Sequence, residues 1–213
     1  KPKPGMRAQF EAAGKRHMDW HRQQKDTWAW PVWEVIAGDN TGSFVAATLN
    51  RHWKEFDNKS KFIEADVADY NANLAPHVES TVARFYLSQA DMSRPPDTPA
   101  FTPFSEVLEF RVKVGAEPDF LHVMRKVHEA IQKTNWPVHY VWYELYLGGD
   151  HPTFVLVLPR QKWEDFKPLE LPFPAMLEQA FGRLEADSLM KMLTKSIASQ
   201  RSEIIMFRPD LSY

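Results

Sequence analysis

Two glutamates, Glu34 and Glu144, occupy the same place in two aromatic-rich stretches of the chain. A β-strand turns alternate side chains to opposite faces, so each glutamate shares its face with large aromatic residues. These are Trp28 and Trp30 in the first stretch, and Tyr140 and Trp142 in the second. A carboxylate on a buried face must be paired with a cation or have a raised pKa, and a raised pKa suits a general base.

These glutamates have two interpretations. In the functional one, they face a polar and aromatic barrel lumen, where Glu34 or Glu144 is a general base or anchors a ligand. In the structural one, both pair with arginines of other strands, and Arg111 and Arg208 are the available cations. The structural interpretation is favoured, because an architectural role predicts the same residue in both halves of a chain.

Histidines are the other residues that could hold a metal ion or carry a proton. His17 and His21 are four apart, so on a helix they share a face. Two ligands do not make a metal site, and HMDWH lacks the glutamate of the HExxH helix, so we expect structural or surface histidines and no metal. His139 is a weak candidate base or axial haem ligand, because alternation puts it on the strand face predicted to meet the helices.

Several classes of function are disfavoured by composition. The chain has no cysteine, which excludes disulfides, thiolate metal sites and a cysteine nucleophile. It has a formal net charge of −2 and no basic stripe, so no nucleic-acid partner is expected. No apolar run approaches the length of a membrane span, and no GxGxxG, P-loop or GxSxG motif occurs.

The chain repeats itself at a shift of 110 positions. Nine residues are identical at that shift, and several are Trp, Phe or Gly, which rarely match by accident. The identities include Phe10 with Phe120, Glu34 with Glu144, Gly38 with Gly148, Trp53 with Trp163 and Phe56 with Phe166. A period this long indicates a duplicated domain rather than a solenoid.

Hydrophobic periodicity and turn residues predict the same order of elements in both copies. The first copy has a helix over 6–25, strands over 28–37 and 43–49 around a turn, helical segments over 59–84 and a strand over 85–91. The second has a strand over 105–114, a helix over 118–133, a hairpin over 136–159, helices over 174–200 and a strand over 203–208. Each copy thus follows the order β-α-β-β-α-β, a ferredoxin-like unit. The first strand of unit 1 is missing and is expected upstream of residue 1.

We therefore predict an α+β protein with unit 1 over 1–95, a proline-rich linker over 96–103 and unit 2 over 104–213. This organisation resembles the dimeric α/β-barrel superfamily, which includes antibiotic-biosynthesis monooxygenases, EthD-like and NIPSNAP-like proteins. The resemblance rests on element order, the aromatic hairpins and a trailing Trp-x-x-Phe in each copy. It implies an intramolecular barrel closed between two fused halves. Superfamily members include cofactor-free oxygenases and haem proteins.

We expect the barrel, or a pocket between sheet and helices, to bind a small apolar or aromatic molecule. The predicted ligand-binding residues are Trp28, Trp30, Glu34, Arg111, Tyr140, Trp142, Glu144 and Arg208. The alternatives are a cofactor-independent oxygenase or isomerase, a haem-binding barrel, and a dimerising interaction module. No cofactor is predicted, and a monomer and a homodimer both fit. A cytoplasmic location is the default, while a secreted or periplasmic one stays open because residues 1–5 do not read as a natural start.

Overall fold

A computed structural model of the chain describes residues 1–57, 60–97 and 101–213. The fold is mixed α+β, as predicted, with five α-helices and seven β-strands in the described residues. Part of the predicted linker, residues 98–100, lies outside them. None of the described helices has the length and apolar character needed to cross a membrane.

The chain forms two compact units, and the first is built from both ends of the sequence. It contains residues 1–82 and 205–213. Its elements are helix α1 (Arg7–Gln24), strands β1 (Val32–Ala37) and β2 (Phe44–Ala46), helix α2 (Lys61–Asp69), which continues into a π-helical turn, and the end of the last strand, β7 (Ile197–Phe207). Strand β1 pairs antiparallel with β2, with Glu34 opposite Phe44, and has β7 as its other neighbour.

The second unit contains residues 83–204. Its strands are β3 (Phe85–Ser88), β4 (Phe104–Val112), β5 (Val141–Leu147), β6 (Thr153–Arg160) and most of β7, in the order β7-β4-β6-β5-β3. Its helices are α3 (Glu117–Thr134), α4 (Phe173–Phe181) and α5 (Arg183–Ser196). In chain order the elements from β4 onward are β4, α3, β5, β6, the pair α4 and α5, and β7.

The core of the second unit lies between its strands and α3. Phe120 of α3 is fully buried and contacts Trp142 of β5 and Phe154 of β6, with ring centroids 5.9 and 4.9 Å apart. Burial of such rings is the main favourable contribution to folding here. The apolar spacing of α3 therefore fixes which of its sides meets the sheet.

One prediction about β5 was wrong. Tyr140 and Trp142 are each 3% exposed and belong to the core that α3 covers, so their face meets helices rather than a lumen. His139 lies on the opposite face and is exposed. Both faces of this strand carry large apolar residues, so alternation separates the faces without showing which one the helices cover.

Two predicted strand boundaries also differ from the structure. The strand predicted over 28–37 begins only at Val32, because Asp26 accepts a hydrogen bond from the Trp28 amide and holds the preceding residues in a turn. The last strand begins at Ile197 rather than at 203, directly after the end of helix α5 at Ser196. The units also group the chain differently from the predicted ranges 1–95 and 104–213, since β3 lies in the second unit and residues 205–213 in the first.

Candidate metal centre

Glu34 lies in an ion-pair network of the first unit. Its side chain is almost fully buried, and its two oxygens contact Arg7 Nη1 at 2.6 Å and Arg208 Nη1 at 2.8 Å. Arg208 also binds Glu11 and Asp210, and the hydrogen bonds that it donates to Asp210 and Glu11 raise its pKa. Glu34 therefore has the arginine partners that the structural interpretation requires.

Glu144 has a different environment. It accepts a hydrogen bond of 2.8 Å from Gln89 Nε2, while Arg111 pairs with Asp150. The structure thus joins Glu34 to Arg208 but does not join Glu144 to Arg111. One cavity of the second unit, about 320 Å³, is lined by Arg111 and Glu109 among others, and its described lining contains neither candidate glutamate nor a histidine.

The remaining predicted residues are distributed over separate places. Tyr140 donates or accepts a hydrogen bond of 2.8 Å with His128 Nδ1, and burial raises the Tyr140 pKa to about 12. The exposed His139 contacts the Pro95 carbonyl through Nδ1 at 3.2 Å. Trp28 packs against Phe56 and lies under the Arg51 guanidinium.

The strongest concentration of chemically active groups lies elsewhere, around His17 and His21. These histidines are one turn apart on the buried face of α1 and are 6% and 2% exposed. Their Nε2 atoms are 3.3 Å apart. Asp66 of α2 completes a triangle, because its Oδ1 lies 3.4 Å from the Nε2 atom of each histidine.

Two more carboxylates hold the imidazole rings in this orientation. His17 Nδ1 lies 2.7 Å from Asp69 Oδ2, and His21 Nδ1 lies 2.9 Å from Asp26 Oδ2. A neutral imidazole that donates its Nδ1–H to a carboxylate keeps a lone pair on Nε2. In that tautomer both histidines would direct Nε2 lone pairs towards each other and towards Asp66.

Asp26 is itself fixed by the chain around it. Its Oδ2 accepts a hydrogen bond of 3.0 Å from Trp30 Nε1, and its Oδ1 accepts one of 3.0 Å from the Trp28 amide. The Tyr213 hydroxyl donates to the Asp26 carbonyl at 2.7 Å. Trp30, predicted as a ligand-binding residue, therefore helps to hold Asp26 in contact with His21.

Aromatic rings surround the two imidazoles and exclude water from most of their surface. The rings within about 6 Å of His17 or His21 are Trp20, Trp30, Phe62, Tyr70 and Tyr213. Burial lowers the pKa of His21, and the nearby Asp66 charge only partly opposes this effect, so a neutral imidazole is favoured.

The triangle of donor atoms has the dimensions of a metal site. A Zn²⁺-like ion with bonds of about 2.0–2.1 Å and tetrahedral angles separates its ligand atoms by about 3.3–3.4 Å. The three observed separations are 3.3, 3.4 and 3.4 Å. At these distances the two nitrogens and the carboxylate oxygen either share a proton or coordinate a common cation.

Only part of this site could be read from the sequence. The shared face of His17 and His21 was visible, but the third donor lies 45 residues beyond His21. The available signal was Asp66 and Asp69, three apart on one helix, which is the spacing that faces both towards a neighbouring element. At the shift of 110 the second copy has Val127 and Ile131 in place of the histidines, and both are buried in its apolar core.

Comparison with known proteins finds similarity in structure but none in sequence. No protein-family model matches the sequence, and no curated protein is detectably similar to it. A candidate monooxygenase from Lactobacillus acidophilus NCFM is similar in structure, with a TM-score of 0.50 and 8% identity over 99% of this chain and 90% of that one. An anthrone oxidase-like protein also has a TM-score of 0.50 and 8% identity, over 92% of this chain and 86% of that one. At this identity the likeness concerns the fold alone.

Proposed function

We propose that this protein binds one divalent transition-metal ion through His17 Nε2, His21 Nε2 and a carboxylate oxygen of Asp66. The observation that carries the proposal is the convergence of these three donors at 3.3–3.4 Å, while Asp69 and Asp26 hold the opposite nitrogens. Carboxylates behind metal-binding histidines fix the ring orientation and make the ligand nitrogen more basic.

The donor set indicates which ions fit. Two imidazoles and one carboxylate suit Zn²⁺, Fe²⁺ and similar borderline ions, whereas Ca²⁺ and Mg²⁺ prefer oxygen ligands alone. Asp66 is the most exposed of the three ligands, with 26% of its side chain accessible, so an ion would exchange with solvent on that side.

Three protein ligands leave coordination positions for water or a substrate, which is the arrangement of catalytic rather than structural sites. A 2-His-1-carboxylate set with open positions is the form that non-haem ferrous oxygenases use. We therefore propose a metal-dependent, oxygenase-type enzyme. The fold likeness to a candidate monooxygenase and an anthrone oxidase-like protein supports this reaction class.

We also propose that the chain is a tandem fusion of two ferredoxin-like units. Helices α1 and α3 each have 18 residues and begin 110 positions apart. Each is followed by a residue with left-handed backbone, Lys25 after α1 and Asn135 after α3. The order β7-β4-β6-β5 in the second unit supports a split β-α-β arrangement there. Under this proposal only the first copy acquired the metal ligands.

Metal binding is tested directly by loading the purified protein with Fe²⁺ under anaerobic conditions and, separately, with Co²⁺ or Zn²⁺. We expect one ion per chain by elemental analysis, and a Co²⁺ absorption spectrum that reports nitrogen and oxygen ligands. His21→Ala and Asp66→Asn should each weaken binding at least tenfold. The exposed His52 lies outside the cluster, so His52→Ala is the matched control.

Circular dichroism and a melting curve show whether each variant is folded. Equal metal content in the wild type, His21→Ala and Asp66→Asn would contradict the metal centre. Stoichiometric binding of Fe²⁺ without oxygen consumption in the presence of aromatic substrates would retain the metal centre and remove the oxygenase assignment.

A further inference from the structure

A second site, separate from the histidine cluster, lies on one face of the strands of the second unit. Its cavity of about 320 Å³ is within the range of small-molecule sites. Strand β4 contributes Glu109 and Arg111, and β7 contributes Ser199 and Arg201. Each pair is two residues apart, so its side chains share a face.

Positive charge exceeds negative charge in this cavity. Three arginines line it, against the carboxylates of Glu109 and Asp150. Glu109 lies between Arg84 Nη1, at 3.3 Å, and the guanidinium of Arg201, to which it is hydrogen-bonded. Glu109 thus orients the Arg84 and Arg201 guanidinium groups beside the cavity.

The third arginine, Arg111, has a partner that a ligand can replace. Its Nη1 contacts Asp150 Oδ2 at 2.8 Å, but the side chains are 49% and 71% exposed. Such exposed ion pairs contribute little to stability, so exchanging one carboxylate for another at Arg111 costs little. Asp150 stands where the carboxylate of a ligand would bind.

The floor of the cavity suits the remainder of an organic molecule. Leu145 and Thr153 line it and are 3% and 4% exposed. Leu145 offers an apolar contact, while the Thr153 hydroxyl donates to the Asp150 carbonyl at 2.6 Å. We propose that this cavity binds a small organic carboxylate, with Arg111 as its anchor and Arg84 and Arg201 at its sides. The planar guanidinium fork matches a carboxylate through two parallel hydrogen bonds.

The full chain is titrated separately with benzoate, succinate and inorganic phosphate at constant ionic strength. Isothermal titration calorimetry and thermal shift measure the binding. We expect saturable binding of benzoate or succinate. Arg111→Gln should weaken that binding at least tenfold, because it removes a charge-assisted contact. Asp150→Asn should strengthen it up to about fivefold, because the competing carboxylate is gone.

Arg125→Gln is the matched control, since Arg125 forms a similar exposed ion pair with Asp91 outside the cavity. Asp150→Asn keeps the test decisive if Arg111→Gln unfolds. Equal affinity in the wild type and both cavity variants would overturn the proposal, as would phosphate binding as tightly as both carboxylates. Asp66→Asn should retain carboxylate binding, so the outcome here is independent of the metal centre.

Discussion

At the scale of single residues, the orientation of two imidazole rings decides what the first unit can do. A histidine that donates Nδ1–H to a carboxylate presents a basic Nε2 to whatever lies on its other side. The Nδ1 atoms of His17 and His21 contact Asp69 and Asp26 respectively, and their Nε2 atoms face the same oxygen of Asp66. In the proposed metal centre Asp69 and Asp26 are positioning residues, because they contact the histidines rather than the ion.

Asp69→Asn is expected to lower the metal affinity about 10–100-fold, because an amide is a weaker acceptor for the His17 Nδ1–H. The affinity is measured by competition with a chromophoric chelator. Asp39→Asn changes an exposed turn carboxylate of the same unit and should leave the affinity unchanged. Equal affinities in Asp69→Asn and the wild type would show that Asp69 does not position His17.

Glu34→Gln is expected to lower the free energy of unfolding by about 1–3 kcal/mol, because Arg7 and Arg208 lose a charged acceptor in a buried place. Urea denaturation measures this change. Glu79→Gln, whose ion pair with Lys1 is exposed, should cost less than about 1 kcal/mol. If Glu34→Gln left stability unchanged but abolished ligand binding or activity, the functional interpretation of Glu34 would replace the structural one.

At the scale of elements, the hairpins show how turn geometry constrains the sequence. Gly148 follows β5 with a φ of +91°, and a Cβ placed on it would lie 2.3 Å from the Ala83 carbonyl oxygen. Gly42, between β1 and β2, has a φ of +84° and open space around it. Both glycines are thus required for a positive φ, but only Gly148 is also approached closely by a neighbouring chain segment.

Gly148→Ala is expected to destabilise the protein by more than about 3 kcal/mol, because a clash with backbone adds to the strain of a positive φ. Gly42→Ala should cost only about 1 kcal/mol, since it introduces strain without a clash. Thermal unfolding of both variants against the wild type measures the difference. Similar melting temperatures for the two variants would mean that the contact at Gly148 relaxes without cost.

At the scale of the whole molecule, the last residues of the chain belong to the first unit. Arg208 joins Glu11 of α1 and Glu34 of β1, partners 197 and 174 positions away in sequence. The same arginine lowers the pKa of Asp210 to about 2 from its ordinary 3.8, and the pKa of Glu11 is also lowered. These carboxylates thus stabilise the fold in their charged form.

The stability of the folded protein should therefore decrease as the pH falls. An acid with a lowered folded pKa contributes stability that is complete above its unfolded pKa and is lost as the pH falls through the folded pKa. We expect the melting temperature to fall between about pH 4 and pH 2, and to fall less steeply in Asp210→Asn. Parallel melting curves of the wild type and Asp210→Asn across this range would contradict the contribution of Asp210.

The sequence by itself determined the local elements and the α+β class. The helices predicted over 6–25 and 118–133 correspond to α1 and α3, because their apolar spacing is a local signal. The aromatic hairpins were likewise predicted from alternation and turn residues. The shared face of His17 and His21 followed from helix geometry alone.

Only the tertiary structure decided which faces are covered and which distant residues meet. Both faces of β5 are apolar, so the contact of Trp142 with Phe120 had to be seen before one face could be assigned to the helices. Asp66 is the third donor because α2 packs its acidic residues towards α1. Nothing local in either segment of the sequence indicates that the two helices meet. The proposed metal centre depends on long-range packing, whereas the hairpin glutamates, although visible in the sequence, have different partners in the two halves.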